Sequence, residues 1–322
     1  MLALRTPFTD SDLHSQGIFD VIDFIKFSAR HKQLTSLLPH TTNVAEYLID
    51  GLNLRIYSPT RAVEDVLLVY HGGGVNSDAG YDILAHQISH HGSICTCLID
   101  IRGHGRSSGY KGRVSHPEQI WLDIDTVLEH VRVKFPRARI HLAGHSSGGG
   151  MLINYFTRYT PTQKSDSLIL LAPEFGPFAP AKICREAMVP FASVTRWPFI
   201  LNALSGGLLC GDRYAVTLHF PNEVMQLKPD FVQQYSVNMA NALTPRQPAR
   251  QMAALPLPVT VLIAERDELF DARKMAAFVE ACGNTNLRSR MVEHSKHLDC
   301  IFDVSEEIRE HVKRCLSRCR RL

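Results

Sequence analysis

The sequence of 322 residues lacks any run approaching the ~20 apolar residues that a membrane-spanning helix requires. It shows no internal repeat and no low-complexity tract, which excludes solenoid and fibrous architectures. Its first residues lack the uninterrupted apolar stretch of a signal peptide, because aspartates divide them at positions 10, 12, 20 and 23. We therefore expect a cytoplasmic globular protein.

Eight cysteines are present, but no two of them have Cys-x-x-Cys spacing. In a chain of this length they indicate no disulfide framework, and we expect them to be mostly reduced. Histidines and cysteines also lack metal-ligand spacing with a third partner, and no cofactor-binding pattern is present, so we predict neither a metal nor a cofactor. The formal net charge of +3 predicts no nucleic-acid partner.

Short apolar runs rich in β-branched residues alternate with segments of helical period. Six runs predict strands of a mostly parallel sheet that is covered on both faces: residues 66–70, 94–99, 139–143, 167–171, 259–264 and 288–292. Residues 44–57 predict an antiparallel hairpin before them, with its turn at Asp50-Gly51. This alternation is typical of an α/β fold with helices on both sides of the sheet.

The segment 174–250 breaks the alternation, because it contains no strong candidate for a buried strand. Prolines and broken helical pieces occupy it instead, which predicts a helical cap inserted into an α/β core of residues 41–173 and 251–322. Its large apolar residues form either an acyl-chain pocket or the cap's own core: Phe175, Phe178, Phe191, Trp197, Phe199, Ile200, Leu201, Leu208 and Leu209.

Residues 1–40 predict a separate helical arm, with a broad apolar face within residues 18–27. This face could lie on a membrane surface, helped by basic residues near the C-terminus. Nearby acidic residues oppose such contact. Packing against the body of the protein or against a partner subunit is therefore the favoured interpretation.

A Gly-His-Ser-Ser-Gly motif at residues 144–148 follows the strand predicted at 139–143 and precedes a helical run at 151–159. A strand, a sharp turn and a helix form the context of a nucleophile elbow, in which a strained turn exposes the serine. The N-terminus of the helix supplies N–H groups and a partial positive charge where an oxyanion would form. The motif therefore predicts Ser146 as a nucleophile.

A second motif, His-Gly-Gly-Gly at residues 71–74, follows the strand predicted at 66–70. Glycines let backbone N–H groups approach a ligand closely, and one of these can join the N–H of Ser147 in an oxyanion hole. A phosphate-binding loop is the competing interpretation. It is disfavoured because neither the Gly-x-x-x-x-Gly-Lys pattern nor the dinucleotide-binding spacing is present.

A serine nucleophile needs a base and a carboxylate that orients the base. When the nucleophile elbow lies in an α/β fold, the acid follows the serine along the chain and the histidine follows the acid. Asp267 lies just past the strand predicted at 259–264 and is the favoured acid. Three neighbouring carboxylates compete with it: Glu265, Glu268 and Asp271.

Two histidines, His294 and His297, follow the last predicted strand. His297 is far enough past the strand end to turn back toward the serine. His294 sits near the strand end, where a surface or supporting position is expected. We therefore predict His297 as the base.

Residues 71–74, 100–109 and 144–149 resemble the lysophospholipase and monoacylglycerol-lipase branch of the α/β hydrolases. The ten residues Asp-Ile-Arg-Gly-His-Gly-Arg-Ser-Ser-Gly at 100–109 are the most specific of the three segments, and we expect this loop to be structural. The resemblance covers residues 45–173 well and 255–300 more loosely.

The resemblance implies a capped esterase or lipase with an α/β-hydrolase fold. It also implies a catalytic triad and two oxyanion donors: Ser146, Asp267 and His297, with Gly73 and Ser147. Residue 147 is usually methionine in this branch and is serine here. Because the mechanism needs only its N–H, the prediction is unchanged.

These features together predict a serine hydrolase that cleaves a small-molecule or lipid-like carboxylic ester through an acyl-enzyme on Ser146. An acyltransferase or a thioesterase is the alternative, because both use the same triad and differ in the acceptor. A catalytically inactive hydrolase fold used for binding is a third interpretation, which the complete set of triad residues disfavours.

Overall fold

The computed structural model describes residues 22–38, 43–90, 92–179, 183–185 and 190–319. The strands follow one another along the chain as β1 (Asn43–Ile49), β2 (Leu52–Ser58), β3 (Asp65–Tyr70), β4 (Ile94–Ile99), β5 (Arg139–His145), β6 (Ser167–Leu171), β7 (Ala192–Val194), β8 (Tyr214–Leu218), β9 (Gln234–Ser236), β10 (Val259–Ala264) and β11 (Leu287–Val292).

The helices are α1 (Phe24–Leu37), α2 (Tyr81–His90), α3 (Glu118–Lys134), α4 (Ser147–Arg158), α5 (Arg196–Leu204), α6 (Asn222–Leu227), α7 (Val237–Leu243), α8 (Pro248–Ala253), α9 (Ala272–Ala281), α10 (Cys300–Asp303) and α11 (Ser305–Cys319). None of the helices in the described ranges is both long and apolar enough to cross a membrane.

Eight strands form the main sheet in the order β1-β2-β4-β3-β5-β6-β10-β11. β1 and β2 pair antiparallel, β2 pairs antiparallel with β4, and the remaining neighbours are parallel. Every residue of β3, β4, β6 and β10 is buried. Burial of both faces explains why these strands are largely apolar rather than alternating. The predicted α/β-hydrolase architecture is confirmed.

The hairpin of β1 and β2 turns at Asp50 and Gly51, as predicted. Both residues have positive φ, at 48° and 80°. Two consecutive positive φ angles are the geometry of a tight hairpin turn that matches the twist of the strands, and an Asp-Gly pair favours it.

The structure describes the arm from residue 22 onward, so residues 18–21 of the apolar face predicted at 18–27 lie outside the described residues. Helix α1 packs against the body. The ring of Phe27 stacks on Phe302 with centroids 4.9 Å apart, and Arg30 pairs with Asp303 at 2.6 Å. These contacts support packing against the body over a membrane-bound arm for the part of the arm that is described.

The insertion at 174–250 contains a three-stranded antiparallel sheet, β7-β8-β9, as well as three short helices and the start of a fourth in its described residues. The expectation of a purely helical cap is therefore corrected. These strands have three to five residues, and β7 is exposed along its length. Strands this short lack the apolar run from which a buried strand is recognised in sequence.

The apolar residues of the insertion divide into two groups. Phe175 is buried, and Phe191 and Phe199 pack partly buried against the core. The other six are exposed and do not belong to a core: Phe178, Trp197, Ile200, Leu201, Leu208 and Leu209.

An ion pair between buried Asp65 and partly buried Arg139 joins β3 to β5, and its loss should destabilise the fold. Arg139 donates two hydrogen bonds of 2.7 Å to the carboxylate of Asp65. We expect Asp65→Asn to lower the free energy of unfolding by about 2 kcal/mol, because Arg139 loses the charged acceptor of both hydrogen bonds. Urea unfolding measures this. In the control Asp212→Asn, an exposed carboxylate 3.6 Å from Arg113 is removed, and a comparable loss there would contradict the prediction.

Candidate active site

Ser146 occupies the turn between β5 and α4 with φ 51° and ψ −118°. Its N–H donates to the carbonyl of Leu171 at 2.9 Å, and its carbonyl accepts from the N–H of Glu174 at 3.0 Å. The flanking glycines are required. A Cβ on Gly144 would lie 2.4 Å from the carbonyl oxygen of Gly148, and one on Gly148 would lie 2.5 Å from a backbone oxygen just beyond β3. The elbow therefore holds the serine in a strained conformation.

Loops after three strands bring the predicted triad residues together. Nε2 of His297 lies 3.1 Å from Oγ of Ser146, and Nδ1 of His297 lies 2.8 Å from Oδ2 of Asp267. Asp267 follows β10 and His297 follows β11. The loops converge because parallel neighbouring strands end at the same edge of the sheet. The ring can therefore accept the serine proton while its Nδ1–H donates to the carboxylate.

The carboxylate of Asp267 is fixed by its own loop. Its Oδ1 accepts hydrogen bonds from the N–H groups of Leu269 at 2.8 Å and Phe270 at 3.0 Å, which leaves Oδ2 for the imidazole. The neighbouring Glu268 accepts from the backbone N–H of His297 at 2.8 Å. Glu268 therefore binds the backbone of His297 and not its imidazole ring.

The other rivals lie away from the serine. The carboxylate of Glu265 accepts from the backbone N–H of His294 at 2.7 Å, and Asp271 caps α9 by accepting from the N–H of Lys274 at 3.0 Å. The side chain of His294 is 74% exposed, and its Nδ1 lies 3.1 Å from a guanidinium nitrogen of Arg266. The structure therefore does not bring His294 to Ser146.

The charges around His297 favour its protonated form. Burial opposes the charge and lowers the pKa of this imidazole. The carboxylate of Asp267, with its hydrogen bond, outweighs burial, and Glu268 and Glu174 add to the effect, so the pKa is raised above its ordinary value. An imidazolium formed during proton transfer would be stabilised here.

The two predicted oxyanion donors, Gly73 and Ser147, lie side by side next to Ser146. A Cβ on Gly73 would come within 3.2 Å of Oγ of Ser147, and one on Gly72 within 3.4 Å of Cβ of Ser146. The N–H groups of Gly73 and Ser147 have no acceptor in the described part of the chain, whereas those of Gly72 and Gly74 donate to tyrosine hydroxyls. Two backbone donors are therefore available to a substrate oxygen.

Sequence reasoning missed a hydrogen-bonded chain beneath the site. The hydroxyl of Tyr81 accepts from the N–H of Gly72 and donates to Nδ1 of His145, both at 2.8 Å. His145 then donates through Nε2 to the carbonyl of His297 at 3.0 Å. Burial and the nearby His297 lower the pKa of His145 and keep it neutral. His145 could have been noticed in the sequence, because it is part of the Gly-His-Ser-Ser-Gly motif. Tyr81 belongs to no motif.

A second missed residue is Glu174, which follows β6 and donates its backbone N–H to Ser146. Burial raises the pKa of its carboxyl to about 7, and the neighbouring His297 lowers it only in part. The sequence provides no signal for it, because a single glutamate in a proline-rich segment is indistinguishable from a surface charge.

The loop at 100–109 contains a buried carboxylate, Asp100, whose hydrogen bonds lie within the protein. The carboxylate of Asp100 accepts from the N–H groups of Ser77 at 2.8 Å and Arg106 at 3.0 Å, and from the amide nitrogen of Asn53 at 3.0 Å. Burial would raise the pKa of Asp100, but these hydrogen bonds and the nearby His71 lower it. This geometry supports the structural role predicted for the loop.

Three potential metal ligands also lie together away from this site: His141, His311 and Cys315. Both ring nitrogens of His141 have partners, the hydroxyl of Ser167 at 2.7 Å and the carboxylate of Asp65 at 3.0 Å. Hydrogen bonds to Ser167 and Asp65 therefore explain the position of the His141 ring in this cluster. The sequence does not reveal the cluster, because its histidines are far apart along the chain.

The fold and the strained serine turn define an α/β hydrolase. Residues 61–301 match the family described as serine aminopeptidase, S33, and the chain belongs to this family. Monoglyceride lipase of Mus musculus is 24% identical over 267 residues, which cover 81% of this chain and 83% of that protein.

Solved structures show the same fold at low sequence identity. A soluble variant of monoglyceride lipase from Saccharomyces cerevisiae, in complex with a substrate analogue, has a TM-score of 0.62 at 14% identity, covering 86% of this chain and 96% of that one. Est1E from Butyrivibrio proteoclasticus, with ferulic acid bound, has a TM-score of 0.57 at 18% identity, covering 85% of this chain and 99% of that one.

If His297 is the base for Ser146, its raised pKa sets the pH at which Ser146 becomes reactive. A protonated imidazole cannot accept the serine proton, so reactivity is lost as the pH falls through the raised pKa. We expect the rate of fluorophosphonate labelling to rise with pH through a midpoint above the ordinary value of 6.5. Asp267→Asn should move the midpoint down, because it removes the largest stabilisation of the imidazolium. A wild-type midpoint at or below 6.5 would contradict this assignment.

Proposed function

We propose that the chain hydrolyses carboxylic esters through an acyl-enzyme on Ser146, with His297 as base and Asp267 as the carboxylate that orients it. One observation carries the proposal: the ring of His297 lies between Oγ of Ser146 at 3.1 Å and the carboxylate of Asp267 at 2.8 Å. A serine becomes nucleophilic when such a base is within hydrogen-bond reach.

In the proposed mechanism, His297 takes the Ser146 proton as Oγ forms a bond to the acyl carbon. The carbonyl oxygen becomes an oxyanion that accepts hydrogen bonds from the N–H groups of Gly73 and Ser147. The imidazolium, stabilised by Asp267, protonates the departing alcohol when the ester bond breaks. Water then attacks the acyl-enzyme with His297 as base, which releases the acid and restores Ser146.

The comparisons favour ester hydrolysis over acyl transfer, thioester cleavage or an inactive fold. Although the family's description names an aminopeptidase, the relatives are a monoglyceride lipase and structures of a lipase and esterases. We propose a lipid-like acyl ester as the substrate, because the lipase from Mus musculus matches over most of both chains. The predicted cytoplasmic location stays a prediction.

Three alanine variants test the triad. Ser146→Ala should abolish hydrolysis of 4-nitrophenyl esters, and His297→Ala should lower kcat by about 10³-fold or more, because the nucleophile or its base is lost. His294→Ala should keep most activity, since its side chain faces solvent. Circular dichroism confirms that each variant is folded. Activity of Ser146→Ala above a tenth of wild type, or greater loss in His294→Ala than in His297→Ala, would refute the assignment.

The choice of acyl chain tests the lipid-like substrate separately. We expect kcat/KM for the twelve-carbon 4-nitrophenyl ester to exceed that for the acetate by about tenfold or more, because each buried methylene contributes about 0.8 kcal/mol. Rates are measured below the concentration at which the long ester forms micelles. A preference for the acetate would leave the esterase proposal intact and reject a lipid-like acyl group.

A further inference from the structure

The insertion surrounds Gly74, the residue next to the proposed oxyanion donor Gly73. The N–H of Gly74 donates to the hydroxyl of Tyr235 at 2.5 Å, and its carbonyl accepts from the N–H of Val232 at 2.7 Å. Its φ is +76°, and a Cβ there would lie 2.6 Å from the ring of Phe220. Residues of the insertion therefore hold both backbone polar groups of Gly74 and occupy the space beside it.

Tyr235 is itself held by a buried histidine. Its hydroxyl donates to Nε2 of His104 at 2.9 Å, and Nδ1 of His104 donates to the carbonyl of Arg102 at 3.2 Å. Burial, assisted by a neighbouring histidine, lowers the pKa of His104 to about 3, so the ring is neutral and Nε2 can accept. Burial also raises the pKa of Tyr235, which keeps its hydroxyl protonated. The tyrosine oxygen therefore presents a lone pair to the Gly74 N–H.

The other side of Gly73 is fixed by the core. His71 accepts from the N–H of Ile101 through Nε2 at 3.0 Å and donates through Nδ1 to the carbonyl of Gly72 at 2.8 Å. This carbonyl belongs to the same peptide unit as the Gly73 N–H. A trans peptide points its C=O and N–H in opposite directions, so the bond from His71 sets the direction of the donor.

Gly73 thus lies between two restrained peptide units. His71 holds the unit before it, and Tyr235 holds the unit after it. A glycine has the greatest backbone freedom of any residue, and a donor that swings away from the oxyanion stabilises it poorly. Together the two restraints limit the φ and ψ that Gly73 can adopt.

We propose that Tyr235 is a positioning residue for the oxyanion hole: by holding Gly74 it aims the N–H of Gly73 at the oxyanion, so that this donor depends on the insertion. The inference rests on the proposed function, since it requires an oxyanion at this place. It gives the insertion a role in the chemical step.

A thionoester comparison tests this role, because sulfur in place of the carbonyl oxygen accepts hydrogen bonds poorly and depends little on the donor. The substrates are 4-nitrophenyl butanoate and its thionoester, with nitrophenolate release as the readout. In Tyr235→Phe, kcat/KM for the oxygen ester should fall about tenfold or more. The rate with the thionoester should change much less, so the preference for oxygen over sulfur shrinks by a similar factor.

The matched control is Tyr214→Phe, which removes a hydroxyl of the same insertion that donates to the carbonyl of Lys111 at 2.9 Å, away from the glycine loop. It should leave both rates and their ratio unchanged. His104→Leu, which removes the acceptor of the Tyr235 hydroxyl, should act in the same direction as Tyr235→Phe and serves if that variant does not fold.

The outcomes separate the two proposals. No effect of Tyr235→Phe, or an equal loss with both substrates, would overturn the positioning role, because a general disturbance lowers both rates together. If wild-type protein hydrolyses neither ester, or if Ser146→Ala hydrolyses both, the proposed function itself fails. A smaller preference for oxygen in Tyr235→Phe, with Tyr214→Phe unchanged, supports the inference.

Discussion

The left-handed backbone of Ser146 is the constraint on which the rest of the site depends. A non-glycine residue with φ 51° is strained, and its neighbours hold it there. The end of β6 accepts its N–H, and the N–H of Glu174 binds its carbonyl. Glycines at 144 and 148 leave room for a turn that tight. The same turn begins α4, so Ser146 and the N–H of Ser147 occupy fixed places relative to each other.

Neutral histidines hold the loops around this turn. His145 connects the elbow to the backbone of His297 on one side and to Tyr81 on the other. His104 orients Tyr235, which in turn holds Gly74. Burial lowers the pKa of both histidines, so each ring donates through one nitrogen and accepts through the other. At His297, by contrast, carboxylates face the ring and favour its charged form.

Much of the fold could be predicted from local pattern. The central strands of the sheet are largely apolar because both faces are covered, and the turn at Asp50-Gly51 follows from residues that tolerate positive φ. The small sheet of the insertion could not be predicted, because strands of three to five residues are too short to leave a periodic signal. The exposure of Trp197, Leu208 and their neighbours likewise depends on which face of the insertion meets the core.

By itself, the sequence determined the order of the main-sheet strands along the chain, and it singled out Ser146, the glycine loop, Asp267 and His297 as candidates. These follow from residue type and spacing within short segments. Only the tertiary structure decided which histidine contacts the serine and which carboxylate contacts that histidine. It also decided that Tyr81 and Tyr235 bind the glycine loop. The N–H of Gly74 and the hydroxyl of Tyr235 are separated by 161 residues. Contacts between such distant segments arise from the packing of the sheet and the insertion, which no local pattern encodes.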